Sequence, residues 1–353
     1  MQPAFHASDA DLKVDLYSDT VTRPTAAMRQ AIAEAEVGNE QAGEDPSVNK
    51  LCAMVMELLG KEDAVFLPSG TMCNEIAYRV HCEPGDEVIL DATGHALHFE
   101  TGGPAALSGL MTRTLSGERG IFTADQVRAA IRAPGRHHPR SRLLSVENTN
   151  NLGSGAVWPL VRIEEVCAAA HEAGLKTHLD GARLLNAVVA SGTPARDYAR
   201  PFDSIWIDLS KGLGCPVGAV LAGSRDFIDR AWIYKQQMGG AMRQAGIIAA
   251  AGIYALEHNV DRMKDDHDNA RVFARAIAQI PGIKLVYDTC PTNIVFFDVD
   301  ETGQSAPAIR DKLAQQGVAI GAMSDQRMRA VTHLDVDRKG VEEAAAALRQ
   351  VVA

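Results

Sequence analysis

The sequence predicts an α/β protein with a mainly parallel sheet in a large domain and a small α+β domain at the C-terminal end. Two observations carry this: short strand-like apolar runs alternate with helical patterns over most of the chain, and a long helical region then gives way to a few strands and a closing helix. Taken in order, the runs at 64–67, 87–90, 142–146, 175–179, 204–208 and 217–222 read as strands. Helical patterns separate them, among them 162–173 and a helix that opens after Ser69 and runs to Cys82. Residues 245–258 continue into 261–280 as a long helical region. Beyond it, 284–287, 293–299 and 328–331 read as strands and 340–351 as a helix, in which the alanines at 344–347 are strong helix formers.

Composition narrows the function classes. The chain has 353 residues, 46% hydrophobic and 23% charged, which suits a soluble globular protein long enough for one large and one smaller core. A formal net charge of −10 argues against nucleic acid or an anionic membrane as partner, and the short basic stretch RHHPRSR (136–142) reads as a solvated loop. No apolar run approaches the ~18–20 residues of a membrane span. The start of the chain lacks a basic region followed by an apolar core, so a cytoplasmic enzyme is the expectation. Cys52, Cys73, Cys82, Cys167, Cys215 and Cys290 show no CxxC spacing and read as reduced structural thiols.

The chemistry starts at SIWIDLSKGLG (204–214), where an apolar run ends in Lys211. A lysine reacts with an aldehyde only as the neutral amine, although its ordinary value is ~10.4. Burial at the end of a strand and neighbouring charge are expected to depress it, preparing Schiff-base chemistry. A second run, 175–179, ends in HLDGAR (178–183), which sets Asp180 at another strand end. A buried carboxylate is the simplest way to keep a pyridine ring nitrogen protonated, so Asp180 is the candidate partner of a pyridoxal phosphate ring. Asp180 and Lys211 lie one strand-loop-strand unit apart, which can bring them side by side at one edge of a parallel sheet. The plainer roles are a helix cap for Asp180 and a solvated surface position for Lys211.

A third element is PSGTMCN (68–74), following the run 64–67. Ser69, Gly70 and Thr71 open a helix whose unpaired amides and dipole can take a phosphate. By itself this turn is a weak motif, neither a Walker loop nor GxGxxG.

Strand-SGT-helix, strand-HLDGAR and strand-LSKG in that order resemble the threonine aldolases, pyridoxal phosphate enzymes of the β-eliminating lyase group. The similarity covers about residues 15–334 in the blocks DLYSDTVTRPT (15–25), GEDPSVNKL (43–51), FLPSGTMCN (66–74), GDEVIL (85–90), HLDGARLLNA (178–187), LSKGLGCPVGAV (209–220), GGAMRQAG (239–246) and MRAVTH (328–333). The resemblance implies the fold type I architecture, with a mainly parallel seven-stranded sheet in the large domain. It also implies residues 1–50 as a segment contributing to the active site and to dimer contacts, 51–255 as the cofactor-binding domain and 256–353 as the small domain. The site is expected between the domains.

The resemblance also assigns roles. Lys211 becomes the covalent anchor and Asp180 the partner of the ring nitrogen. Ser69, Gly70 and Thr71 hold the phosphate, with Arg243 contributing across a subunit interface, which implies a homodimer or homotetramer. His95, in GHALHFE, matches a histidine stacked on the cofactor ring, where a neutral imidazole can assist proton transfer. Arg183 and Arg329 match the substrate-carboxylate positions, suited to them by the bidentate guanidinium, and Ser18 matches a serine on the same group. His98 stands one turn after His95, but nothing completes a metal set and no catalytic metal is assigned.

Three departures from the family pattern concern specificity. Asn150, in ENTNN, stands where a histidine contacts the substrate hydroxyl; it can hydrogen-bond but cannot carry a proton near neutral pH. Gln41-Ala42 replaces valine-tyrosine near a neighbouring subunit's site, and Gln236, with Lys235 just before it, replaces a phosphate-side lysine. Together they suggest a bulkier or more polar substrate than threonine. The expected reaction is retro-aldol cleavage of an L-β-hydroxy-α-amino acid to glycine and an aldehyde. The alternatives are β-elimination or β-replacement on the same scaffold, and a cofactor-binding protein without catalysis.

Overall fold

The computed structural model describes residues 12–353; the first eleven residues of the expected N-terminal segment lie outside it. The chain divides into two units, one of residues 24–261 and one of residues 12–23 with 262–353.

In the first unit seven strands form one sheet: β1 (Asp63–Leu67), β2 (Glu87–Asp91), β3 (Met111–Leu115), β4 (Ser141–Glu147), β5 (Lys176–Gly181), β6 (Ser204–Asp208) and β7 (Ala219–Gly223). Their order is β1-β7-β6-β5-β4-β2-β3. Every pairing is parallel except those of β7, which runs antiparallel to β1 and β6. The central strands are buried along nearly their whole length, as expected of a sheet covered on both faces. Residues Val65, Leu67, Ile76, Val80, Trp206, Leu221 and Phe227 form one of the cores.

The sequence reading misses β3. Its residues MTRTL are mostly exposed because it is an edge strand paired only to β2, so no apolar run marks it. Strand β6 has the bounds read from the sequence, and the remaining strands of this sheet differ by one or two residues at their ends.

Register sets the site. Asp180 pairs with Trp206 and with Glu147, so the last residues of β4, β5 and β6 emerge at one edge. Gly181 permits the close approach of β5 and β6, since a Cβ there would meet the Trp206 carbonyl oxygen at 2.1 Å.

In the second unit the expected continuous helical region is broken: one helix, Gly246–His258, ends in the first unit, and Met263–Ile277 begins the second. Strands β8 (Lys284–Leu285), β9 (Ile294–Asp298), β10 (Gly321–Ala322) and β11 (Arg327–Val331) form an antiparallel sheet in the order β10-β11-β9-β8. Helices Ala306–Gln315 and Arg338–Val352 belong to the same unit; the sequence reading does not single out the first. Val14–Asp15 pairs in parallel with Val318–Ala319, which draws the start of the described chain into this core.

Candidate active site

The first unit gathers Ser69, Gly70, Thr71, His95, Asn150, Asp180, Arg183, Lys211 and Arg243; Ser18 and Arg329 belong to the second.

Helix Gly70–His81 starts at the end of β1, as the sequence predicts. Ser69 is its N-cap, with Oγ accepting from Met72 N at 3.2 Å, and its carbonyl accepts from Cys73 N. The leading amides of Gly70 and Thr71 have no acceptor within the helix. A Cβ at Gly70 would lie 2.2 Å from the Trp206 ring, so only glycine lets the turn close onto that indole.

Asp180 is buried at the end of β5, where Oδ1 accepts from Ala182 N at 3.0 Å and Oδ2 from Asn74 Nδ2 at 2.9 Å. Lys211 follows β6 by three residues. Its Nζ donates to Asp208 Oδ2 at 2.6 Å and lies 5.7 Å from the centroid of the Trp206 ring. Asp208 Oδ1 accepts both the backbone and hydroxyl donors of Ser210, at 2.7 and 2.8 Å, which fixes the SKG turn. The charged side chain beside Lys211 is thus the carboxylate of Asp208. Arg183 is buried at the start of helix Leu184–Ser191.

His95 opens a single helical turn, His95–His98. Its Nδ1 meets Glu100 Oε1 at 2.8 Å and its backbone N donates to Glu147 Oε2 at 2.9 Å. Burial opposes a charge on His95, but the Glu100 hydrogen bond and the carboxylates of Asp180, Glu100 and Glu147 outweigh it and raise the imidazole above its ordinary value. The imidazole expected to be neutral is therefore biased toward holding its proton. His98 Nε2 pairs with the Ala92 carbonyl at 2.6 Å. His95, Glu100 and Asp180 each place a ligand atom within 4.8 Å of the others, although Glu100 Oε1 and Asp180 are already hydrogen-bonded by Asn74.

More acid surrounds this histidine than the sequence reading foresaw. Burial and the neighbouring Glu100 push Glu75 up to about 8, and burial with the Asp180 charge moves Glu147 upward. Both Glu75 carboxyl oxygens and Glu100 Oε2 are buried, and a protonated Glu75 can donate a hydrogen bond to Glu100. Sequence reasoning missed Asn74, Glu75, Glu100, Glu147 and Asp208. Asn74, Glu100, Glu147 and Asp208 lie inside quoted motifs, but only folding shows that they converge.

Asn150 is buried. Its Oδ1 accepts from Gly153 N at 2.7 Å and from Thr93 Oγ1 at 3.3 Å, while its Nδ2 is buried without a partner. Gln41 Nε2 donates to the Met242 carbonyl at 3.2 Å, and Glu40 N to the Arg243 carbonyl at 2.9 Å, so the 40–42 turn is strapped to the GGAMRQAG segment. Lys235 is fully buried in an ion pair with Glu40, so it does not stand in for the lysine replaced by Gln236. Arg243 itself is exposed.

In the second unit, Arg329 Nη2 donates to the Tyr17 carbonyl at 3.3 Å, beside Ser18. Ser18 Oγ accepts from Thr20 N and Thr20 Oγ1 at 3.2 and 2.8 Å. The neighbouring Arg327 is engaged by Asp298 in a two-pronged pair of 2.7 and 2.9 Å, which leaves Arg329 as the better placed of the two.

The donor set fits pyridoxal phosphate: a lysine amine and a buried carboxylate stand at the ends of adjacent strands, beside a glycine-opened helix N-terminus.

Comparison with known proteins agrees with this geometry. A family model described as beta-eliminating lyase matches residues 15–302. The chain is 42% identical over 341 residues to the low specificity L-threonine aldolase of Escherichia coli (strain K12), covering 96% of this chain and 99% of that one. It is 37% identical over 344 residues to the low-specificity L-threonine aldolase 1 of Arabidopsis thaliana, covering 96% of each. Among solved structures, the Leishmania major threonine aldolase superposes with a TM-score of 0.82 at 21% identity, covering 97% of this chain and 100% of that one. The Sphingomonas wittichii serine palmitoyltransferase superposes with a TM-score of 0.75 at 18% identity, over 96% and 86% of the two chains. The chain belongs to the beta-eliminating lyase family, among the threonine aldolases.

Proposed function

We propose that the protein is a pyridoxal-phosphate-dependent aldolase that cleaves an L-β-hydroxy-α-amino acid to glycine and an aldehyde. One observation carries the reading: Asp180 and Lys211 follow one another at the ends of the paired strands β5 and β6, beside the N-terminus of helix Gly70–His81. Relatives named low-specificity L-threonine aldolases support the reaction class.

When bound, the cofactor supplies an electron-withdrawing ring that accepts the electron pair of the broken Cα–Cβ bond. Lys211 Nζ is its covalent attachment, Asp180 holds the proton on the ring nitrogen, and the amides of Gly70 and Thr71 with Ser69 hold its phosphate. Arg183, Arg329 and Ser18 take the substrate carboxylate. With Nδ1 turned to Glu100, His95 Nε2 is the atom left to exchange a proton with the substrate β-hydroxyl. Asn150 is the less suited base, because its amide does not titrate and its Oδ1 is already committed.

Exposed Arg243 supports a homodimer or homotetramer in which it reaches a neighbouring subunit's phosphate. The small side chain of Ala42 supports a substrate bulkier than threonine. Among the described residues no helix is long and apolar enough to cross a membrane, and a cytoplasmic setting remains the reading.

The test is to load the protein with pyridoxal phosphate and supply a panel of L-β-hydroxy-α-amino acids, measuring glycine, aldehyde, ammonia and 2-oxo acid together. Equimolar glycine and aldehyde support the aldolase. Ammonia and oxo acid without glycine move the assignment to β-elimination, and the highest kcat/KM on threonine overturns the bulkier substrate.

A further inference from the structure

Asn74 is buried on helix Gly70–His81 and makes four hydrogen bonds. Its Oδ1 accepts from Trp206 Nε1 at 2.7 Å and from His178 Nε2 at 3.1 Å. Its Nδ2 donates to Asp180 Oδ2 at 2.9 Å and to Glu100 Oε1 at 2.8 Å. An amide has two lone pairs on oxygen and two N–H groups, so the side chain is saturated.

Its orientation is decided by chemistry. The indole Nε1–H can only donate, so the atom facing Trp206 is oxygen and the amide N–H groups must face the two carboxylates. The orientation in turn fixes the His178 tautomer. Burial holds its imidazole well below the ordinary range, so the ring is neutral. With the Asn74 oxygen facing it, Nε2 carries the ring's proton and Nδ1 accepts from Ser204 Oγ at 2.8 Å. Ser204 Oγ is in turn met by His81 Nε2 at 2.8 Å.

The two carboxylates serve different partners in the functional reading above, on which this inference rests: Asp180 faces the cofactor ring nitrogen and Glu100 faces His95. We propose that Asn74 is a positioning residue that aims Asp180 at the ring nitrogen and Glu100 at His95 together, its amide locked by Trp206 and His178. Donation to Asp180 favours the carboxylate over the neutral acid, and so favours the proton residing on the ring nitrogen.

The experiment loads wild type, Asn74→Ala and Trp206→Phe with pyridoxal phosphate isotopically labelled at the ring nitrogen. It records that nitrogen's NMR resonance, the cofactor Kd and the melting temperature. In wild type the resonance is expected at the protonated position. Asn74→Ala is expected to move it toward the unprotonated position and to raise the Kd by about tenfold, the scale of a lost hydrogen bond to a charged group. Trp206→Phe keeps an aromatic ring over Gly70 but loses the N–H that orients the amide, and is expected to move the resonance the same way by less. Variants that melt lower with the resonance unmoved, in a wild type that loads normally, overturn the inference alone and leave Asn74 a packing residue. A wild type that takes up no cofactor overturns the functional reading and this inference with it.

Discussion

Lys211 and Asp208 form an ion pair at the end of β6, with Nζ 2.6 Å from Oδ2 and side chains only 14% and 5% exposed. The pair holds the amine in place when no aldehyde is attached. Breaking it leaves the largely buried amine without its partner, a cost of about 1–3 kcal/mol. Asp208→Asn is therefore expected to destabilise the cofactor-free protein by that amount and the loaded protein by less, because in the loaded form the Lys211 nitrogen is bound elsewhere. Denaturant melts of both forms check this, and equal losses in the two would count against it.

Gly70 is held by a steric fact, the 2.2 Å approach of any Cβ to the Trp206 ring. Gly70→Ala is expected to destabilise the fold by about 1–3 kcal/mol, the usual cost of overpacking. It should also weaken pyridoxal phosphate binding, because the turn that presents the leading amides must open. Ser69→Ala removes only the cap bond and should cost about 1 kcal/mol. Cofactor titration alongside thermal melts separates the two effects.

Glu75 gives a pH dependence of definite sign. Its folded value, about 8, lies above the ordinary carboxylate value of 4.5, so the folded chain holds a proton that the unfolded chain has released. Stability is then fully present below about 4.5 and falls as pH rises toward about 8. His95 adds the same sign: its raised value gives stability below the ordinary histidine range that is lost as pH climbs through the folded value. Glu75→Gln, whose amide can donate to Glu100, should flatten the decline and melt higher than wild type at pH about 8. A variant whose melting curve tracks wild type across this range would sink the assignment.

Asn150, which stands where the family pattern has a histidine, is buried close against the Gly120 backbone. A Cβ added at Gly120 would come within 2.3 Å of its amide nitrogen, and Gly153 N depends on its Oδ1. Asn150→His is expected to destabilise the protein by about 1–3 kcal/mol through strain and the lost bond, without raising kcat/KM on threonine. Kinetics and melting of the one variant decide both halves.

Arg183→Lys and Arg329→Lys should each raise KM about tenfold or more with a smaller change in kcat, because an ammonium cannot reproduce bidentate carboxylate binding. A kcat loss at unchanged KM would remove either residue from that role.

The order of strands, the glycine-opened helix and the ends at Asp180 and Lys211 were legible along the chain because each depends on local pattern: an apolar run, a small-residue turn, a polar residue just beyond. Strand β3 was not, since an edge strand with exposed residues leaves no periodic apolar mark. Residues 245–280 read as one helical region because their pattern is helical on either side; the folded chain breaks them between two units.

What the sequence by itself determined is the family, and it singled out Lys211, Asp180 and the turn 69–71 as the candidates for anchor, ring partner and phosphate turn, because the chemistry of pyridoxal phosphate constrains those residue types closely. Tertiary structure decided what surrounds them. Glu75, Glu100, Glu147, Asn74, His178 and Asp208 come from five different elements or the turns beside them, and no spacing along the chain brings them together. Their hydrogen bonds and charges act over a few ångströms of space. The direction in which His95 is biased, the way Asn74 turns its amide and the partner of Lys211 were therefore decided only by the folded arrangement.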